Sequence, residues 1–188
     1  MMIKRFVVVI AAVLAFACGK SETPIVKRVM HKRAAPQKKA DEVAETNIGS
    51  MMPPYQAKTL DGKEFDLASQ KGNVVLLNLW ATWCGPCRFE IPELEKMHKE
   101  YSPRGLRIVG VSLDDSGADA VKQFVKDQKM TYMIAIDPDG KIANIFQTSI
   151  IPTSVLIDKK GRIVWKDYGP VSLNDATLKK ALDAALKS

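Results

Sequence analysis

Short apolar runs and helical periodicities alternate along residues 53–188, and the alternation predicts the order of elements. Val74-Val75-Leu76-Leu77-Asn78-Leu79 is almost continuously apolar and is followed by Trp80. Such a run, with no polar alternation, is the pattern of a strand buried on both faces at the centre of a parallel sheet. Arg88–Tyr101, rich in Glu, Leu, Lys and Met, predicts the helix that follows it. Leu106–Leu113 and Tyr132–Ile136 predict two further strands. Between them Ala118–Gln128 predicts an amphipathic helix with Val121, Phe124 and Val125 inward. Ile142–Phe146 predicts a short helix. Ser154–Ile157 and Arg162–Lys166, joined by Asp158-Lys159-Lys160-Gly161, predict a hairpin. A last helix through Leu186, capped by Asn174 or Asp175, would turn Leu178, Ala181, Leu182 and Ala185 inward. Ahead of the central strand, 55–60 and 63–67 flank Asp61-Gly62 and predict another hairpin, because that dipeptide supplies the positive φ of a tight turn. The whole predicts an α/β fold, a mixed central sheet with helices on both sides.

The first 52 residues follow a different pattern. Lys4-Arg5 precede twelve apolar residues, Phe6–Ala17, too few to span a bilayer, which takes about 20. They fit the apolar part of a secretory signal over residues 1–18. Leu14-Ala15-Phe16-Ala17-Cys18-Gly19 is compatible with lipidation of Cys18, with cleavage by an ordinary signal peptidase after Ala17, or with an uncleaved anchor. All three export the remainder to the cell envelope, and the first and last hold it on the membrane. Residues 19–52 lack apolar periodicity and carry Lys27-Arg28, Lys32-Arg33 and Lys38-Lys39 between prolines, the composition of a flexible tether. The domain is expected over 53–188.

This division changes the meaning of the net charge. The +7 of the chain separates into +5 over residues 1–52 (nine basic, four acidic) and +2 over 53–188 (nineteen basic, seventeen acidic). The expected domain is close to balanced and has no basic stripe interleaved with aromatics, which excludes nucleic acid as its partner.

The chemistry lies where the central strand meets its helix. Cys84-Gly85-Pro86-Cys87 places one thiol at the helix tip, where free N–H groups and the helix dipole favour a thiolate. The second falls about one turn further in, within bonding reach of the first. Cys84 would attack a substrate disulfide and Cys87 would resolve the mixed disulfide. Zinc asks for four ligands, and the two histidines are His31 in the tether and His98 three turns down the helix. The spacing points to redox exchange, with the Cys84–Cys87 disulfide itself as the redox group and no further cofactor or metal.

Trp80-Ala81-Thr82-Trp83-Cys84-Gly85-Pro86-Cys87, with Pro92 and with Ile151-Pro152-Thr153 downstream, resembles thioredoxin. The hairpin ahead of the central strand, a strand–helix insert at roughly 106–136 and Glu90 resemble the TlpA/ResA/DsbE-like envelope thioredoxins. That resemblance spans about 53–188 and implies a thioredoxin-like fold with a cis Pro152 beside Cys84. It also implies a substrate groove at Trp83, Gly85, Pro86, Ile151 and Pro152, with Trp83 shielding the disulfide. It further implies protein disulfide substrates such as apocytochrome c, and a membrane electron donor of the DsbD/CcdA type. Asn78 stands where ordinary thioredoxin has a buried Asp, so proton handling falls elsewhere. Glu90, on the Cys87 face of the helix, is the candidate, although a surface glutamate on a Glu-rich helix is the other reading. Trp80 is expected in the core, Trp165 within its hairpin, and Pro92 at a helix kink. Two further readings stay open, a peroxiredoxin-like peroxidase and a Sco-like copper module. The first expects Thr three residues before the cysteine, where this chain has Ala81. The second expects a Cys-x-x-x-Cys spacing and a later His.

Overall fold

A computed structural model describes residues 46–188; the signal segment, Cys18 and most of the basic tether lie outside the described residues. One seven-stranded sheet forms the centre: β1 (Gln56–Thr59), β2 (Glu64–Asp66), β3 (Val74–Trp80), β4 (Leu106–Ser112), β5 (Met133–Ile136), β6 (Thr153–Ile157) and β7 (Ile163–Tyr168). Their spatial order is β2-β1-β5-β4-β3-β6-β7. β3, β4 and β5 run parallel, and each outer strand is antiparallel to its inner neighbour. This is the mixed thioredoxin-like sheet anticipated from the sequence. All seven residues of β3 are buried, as its unbroken apolar run requires.

Alternate residues of β3 serve opposite faces of the sheet. Val74, Leu76 and Trp80 join one core with α1 (Gly85–Tyr101), α2 (Ala118–Asp127) and α4 (Ala176–Lys187). Val75, Leu77 and Leu79 join a second core with α3 (Lys141–Phe146) and with Tyr55, Phe65 and Leu67. Asn78 falls on the first face, directly beneath α1, which is why an amide can enter the chemistry described below.

Several local expectations are refined. α1 begins at Gly85, with Cys84 itself as the N-cap, and it continues through Pro92 without a break. Pro92 removes a bond to the carbonyl of Arg88, and both residues are exposed. Asp175, not Asn174, caps α4, its carboxylate accepting from the N–H groups of Thr177 and Leu178. In α2 only Val121 is fully buried, with Phe124 and Val125 partly covered. Trp80 is 1% exposed and packs on Phe124, with ring centroids 5.5 Å apart. Trp165 reaches beyond its hairpin, because its indole N–H donates to Thr177 Oγ1 of α4 at 3.1 Å.

Contacts with the sheet also begin earlier than residue 53. Met51 forms a bridge to Arg162, Gly49 N–H donates to the Ile163 carbonyl, and Ile163 N–H donates to the Ser50 carbonyl. These residues cover the start of β7, an otherwise open sheet edge. Backbone pairing of this kind leaves no apolar period in the sequence, so composition alone assigns them to the tether. Among the described residues no helix is long and apolar enough to cross a membrane.

Candidate active site

The C-terminal ends of β3 and β4, the tip of α1 and the turn into β6 converge on the two cysteines. Cys84 and Cys87 are joined in a disulfide, with Cα atoms 5.3 Å apart. Cys87 N–H donates to Cys84 Sγ at 3.2 Å, so the sulfur occupies the N-cap acceptor position of α1. A Cys84 thiolate would inherit that donor and the positive end of the helix. Opposite it, Cys84 Sγ lies 3.8 Å from the carbonyl oxygen of Ile151, and the Ile151–Pro152 peptide bond is cis. Cys84 is 4% and Cys87 1% exposed, while Gly85 and Pro86 stand in solvent. Trp83, also expected at the groove, is 70% exposed.

One turn into α1, Glu90 is 1% exposed, which overturns the surface reading of this residue. Its two oxygens are separately engaged: Asn78 Nδ2 donates to one at 2.8 Å and Val171 N–H to the other at 2.8 Å. Asn78 Nδ2 also donates to Ser154 Oγ at 3.0 Å. Burial pushes the Glu90 carboxyl up to about 7, the two hydrogen bonds pulling only partly back. Cys87 and Glu90 are three residues apart and therefore neighbours on one helix face.

A third group escaped the sequence reading. Asp114, just beyond β4 and 1% exposed, accepts from Thr82 N–H with both oxygens at 3.1 and 3.0 Å. It also accepts from the Thr82 hydroxyl at 2.6 Å and the Ser112 hydroxyl at 2.7 Å. It thereby fixes the turn that carries Trp83 and Cys84. A lone Asp after a strand has no sequence signature for this, since its partner lies 32 residues away. Asp114→Ala leaves buried donors without an acceptor, and chemical denaturation should show a loss of about 2 kcal/mol, with Asp114→Asn losing less.

Residues 48–166 match the AhpC/TSA family. The chain belongs to that family. A ResA thiol-disulfide oxidoreductase from Bacillus cereus is 38% identical over 122 residues, which cover 65% of this chain and 70% of the relative. A Chlorobium tepidum structure named as thiol:disulfide interchange protein DsbE superposes with a TM-score of 0.69 at 31% identity, over 76% of this chain and 99% of that one. A secreted thiol-disulfide isomerase from Corynebacterium glutamicum gives 0.63 at 29%, over 72% and 83%. This AhpC/TSA member is a thiol–disulfide oxidoreductase with a thioredoxin-like fold, of the TlpA/ResA/DsbE-like kind.

The structure of this family member brings together most of the residues singled out in the sequence. Cys84, Cys87 and the Ile151–Pro152 loop meet directly, and Gly85 and Pro86 form the exposed first turn beside them. His98 lies against Tyr132, with ring centroids 6.3 Å apart, about eleven residues of helix away from Cys87. Among the described residues no group of three or more His, Cys, Asp or Glu side chains is placed to hold a metal ion.

Proposed function

We propose that this protein is an exported, membrane-tethered reductase of protein disulfides. The observation that carries the reading is the Cys84–Cys87 bond at the tip of α1, its outer sulfur against the Ile151 carbonyl. In the reduced protein the Cys84 thiolate attacks one sulfur of a substrate cystine, forming a mixed disulfide and releasing the other sulfur as a thiolate. Cys87 then loses its proton to Glu90 and attacks Cys84 Sγ. The second substrate sulfur leaves, the substrate has gained two electrons, and the protein has become the disulfide. Two electrons from a membrane donor of the DsbD/CcdA type restore the dithiol. The cystines of apocytochrome c are one substrate of this kind.

Export and tethering rest on residues 1–18 and 19–52, and the reducing direction rests on the Gly85-Pro86 spacer, which resembles that of reducing thioredoxins. A direct test is to equilibrate the pair with glutathione and to follow insulin reduction. A potential near that of thioredoxin, about −270 mV, together with insulin turnover, is the expected result. A potential near about −120 mV makes the protein an oxidant.

Membership of the AhpC/TSA family also raises the peroxidase reading. Against it, Ala81 stands three residues before Cys84, and Cys84 is tied to a cysteine only three residues on. Peroxide consumption well above that of Cys84→Ser would reverse the preference.

A further inference from the structure

Disulfide exchange accounts for the sulfurs and the Ile151–Pro152 loop, but not for a large exposed aromatic ring on the same helix. Phe89 is 82% exposed, with Trp83 at 70% and Ile150 at 54%. Single exposed apolar residues are ordinary. Here Trp83 directly precedes Cys84, and Ile150 directly precedes Ile151, whose carbonyl faces Cys84 Sγ. Gly85 and Pro86, both in solvent, begin the outer face of α1 next to Cys84. Phe89 stands one turn further along that same face. The neighbouring charge is committed elsewhere, because the Arg88 guanidinium stacks on the Phe124 ring of α2 at 5.6 Å.

We propose that Phe89 is a specificity determinant, receiving an aromatic or long aliphatic side chain of the substrate polypeptide. The inference rests on the disulfide-exchange reading and names the substrate class of that site. Its occupant follows from continuity, since any polypeptide whose sulfur reaches Cys84 must lie over the adjacent surface. The spacing sets the position. From Cys84 to Phe89 the helix rises about 7.5 Å. An extended chain advances about 3.3 Å per residue. A substrate segment lying along α1 would bring the residue two positions from the attacked cysteine over Phe89.

The test uses the full chain in its dithiol form and two peptides, each bearing one cysteine in a disulfide with thionitrobenzoate. One has Phe two residues from that cysteine and the other has Ser. Release of the coloured thiol in a single turnover gives the second-order rate constant. The Phe peptide should react about fivefold faster than the Ser peptide, the ratio expected for covering part of a Phe side chain. Phe89→Ala should bring the ratio close to one, and Phe89→Leu should restore most of it. Phe89 is exposed, so neither change threatens the fold. Release without preference in the natural protein, or a preference that survives Phe89→Ala, overturns the inference alone. So does an unchanged preference accompanied by loss of binding to phosphatidylglycerol vesicles, which would assign the ring to a bilayer. No release from either peptide removes the disulfide-exchange reading and this inference with it.

Discussion

Cys87→Ser stops after a single attack and stays bonded to its substrate. The variant should consume at most one equivalent of a protein disulfide and accumulate as a mixed disulfide, visible as a mass adduct that a reductant removes. Cys84→Ser should form no adduct at all. The asymmetry follows from position. Cys84 caps α1, where Cys87 N–H points at its sulfur and the exposed Gly85 and Pro86 flank it. Cys87 lies inside the first turn at 1% exposure, above the buried Glu90. A large substrate reaches the outer sulfur, and the inner one then reaches only Cys84. Both cysteines are small, buried and bonded to each other, so serine at either position costs modest stability beside the loss of multiple turnover. If Cys84→Ser instead trapped the substrate, the two roles would be exchanged.

The second large effect is a pH dependence that belongs to Glu90. Its carboxyl titrates near 4.5 in the unfolded chain and at about 7 in the folded one, chiefly because burial disfavours the carboxylate. Between these values the folded protein holds a proton that the unfolded chain has released, so stability falls as pH rises. The contribution is fully present below 4.5 and lost by the time pH has passed 7. Its size, about 3 kcal/mol, follows from 1.36 kcal/mol per unit. The facing groups do not blur this window. Asn78, Ser154 and the Val171 N–H are uncharged, and the buried Tyr132 hydroxyl is pushed upward, by burial first and then by Glu90 and Glu95. Urea unfolding of the oxidised protein between pH 5 and 8 should show the decline, and Glu90→Gln should remove it. The same variant should shift the pH profile of the Cys87 step while leaving the first attack by Cys84 unchanged. A Gln variant that keeps both dependences would take Glu90 out of the mechanism.

How far the sequence carried the structure depended on what kind of order each part has. β3, α1 and the cysteine pair are written in local signals: an unbroken apolar run, a helical period, and a spacing that only a helix tip makes meaningful. The strand order around β3 was not legible, because β1 pairs with β5 and β6 with β3 across long stretches of chain. The Glu90 site was half legible, because spacing places Glu90 on the Cys87 face but cannot say that Asn78 and Val171, 12 and 81 residues away, enclose it. Asp114 and Phe89 were missed for opposite reasons. One acts through a partner far along the chain, and the other is an apolar residue whose meaning lies in being left uncovered. The tether boundary shifted because the bridge between Met51 and Arg162 is made by backbone groups that every residue has.

That bridge also fixes where the chain ahead of residue 53 enters the domain. It sits where β7 begins, whereas Cys84 lies past the opposite end of neighbouring strands, a strand length of about 20 Å away. On the proposal that residues 1–52 tether the protein to a membrane, the tether joins the domain at the pole away from the sulfurs. Attachment there would leave the sulfurs clear of the tether, open to clients in solution and, through the tether's flexibility, to a donor in the same membrane.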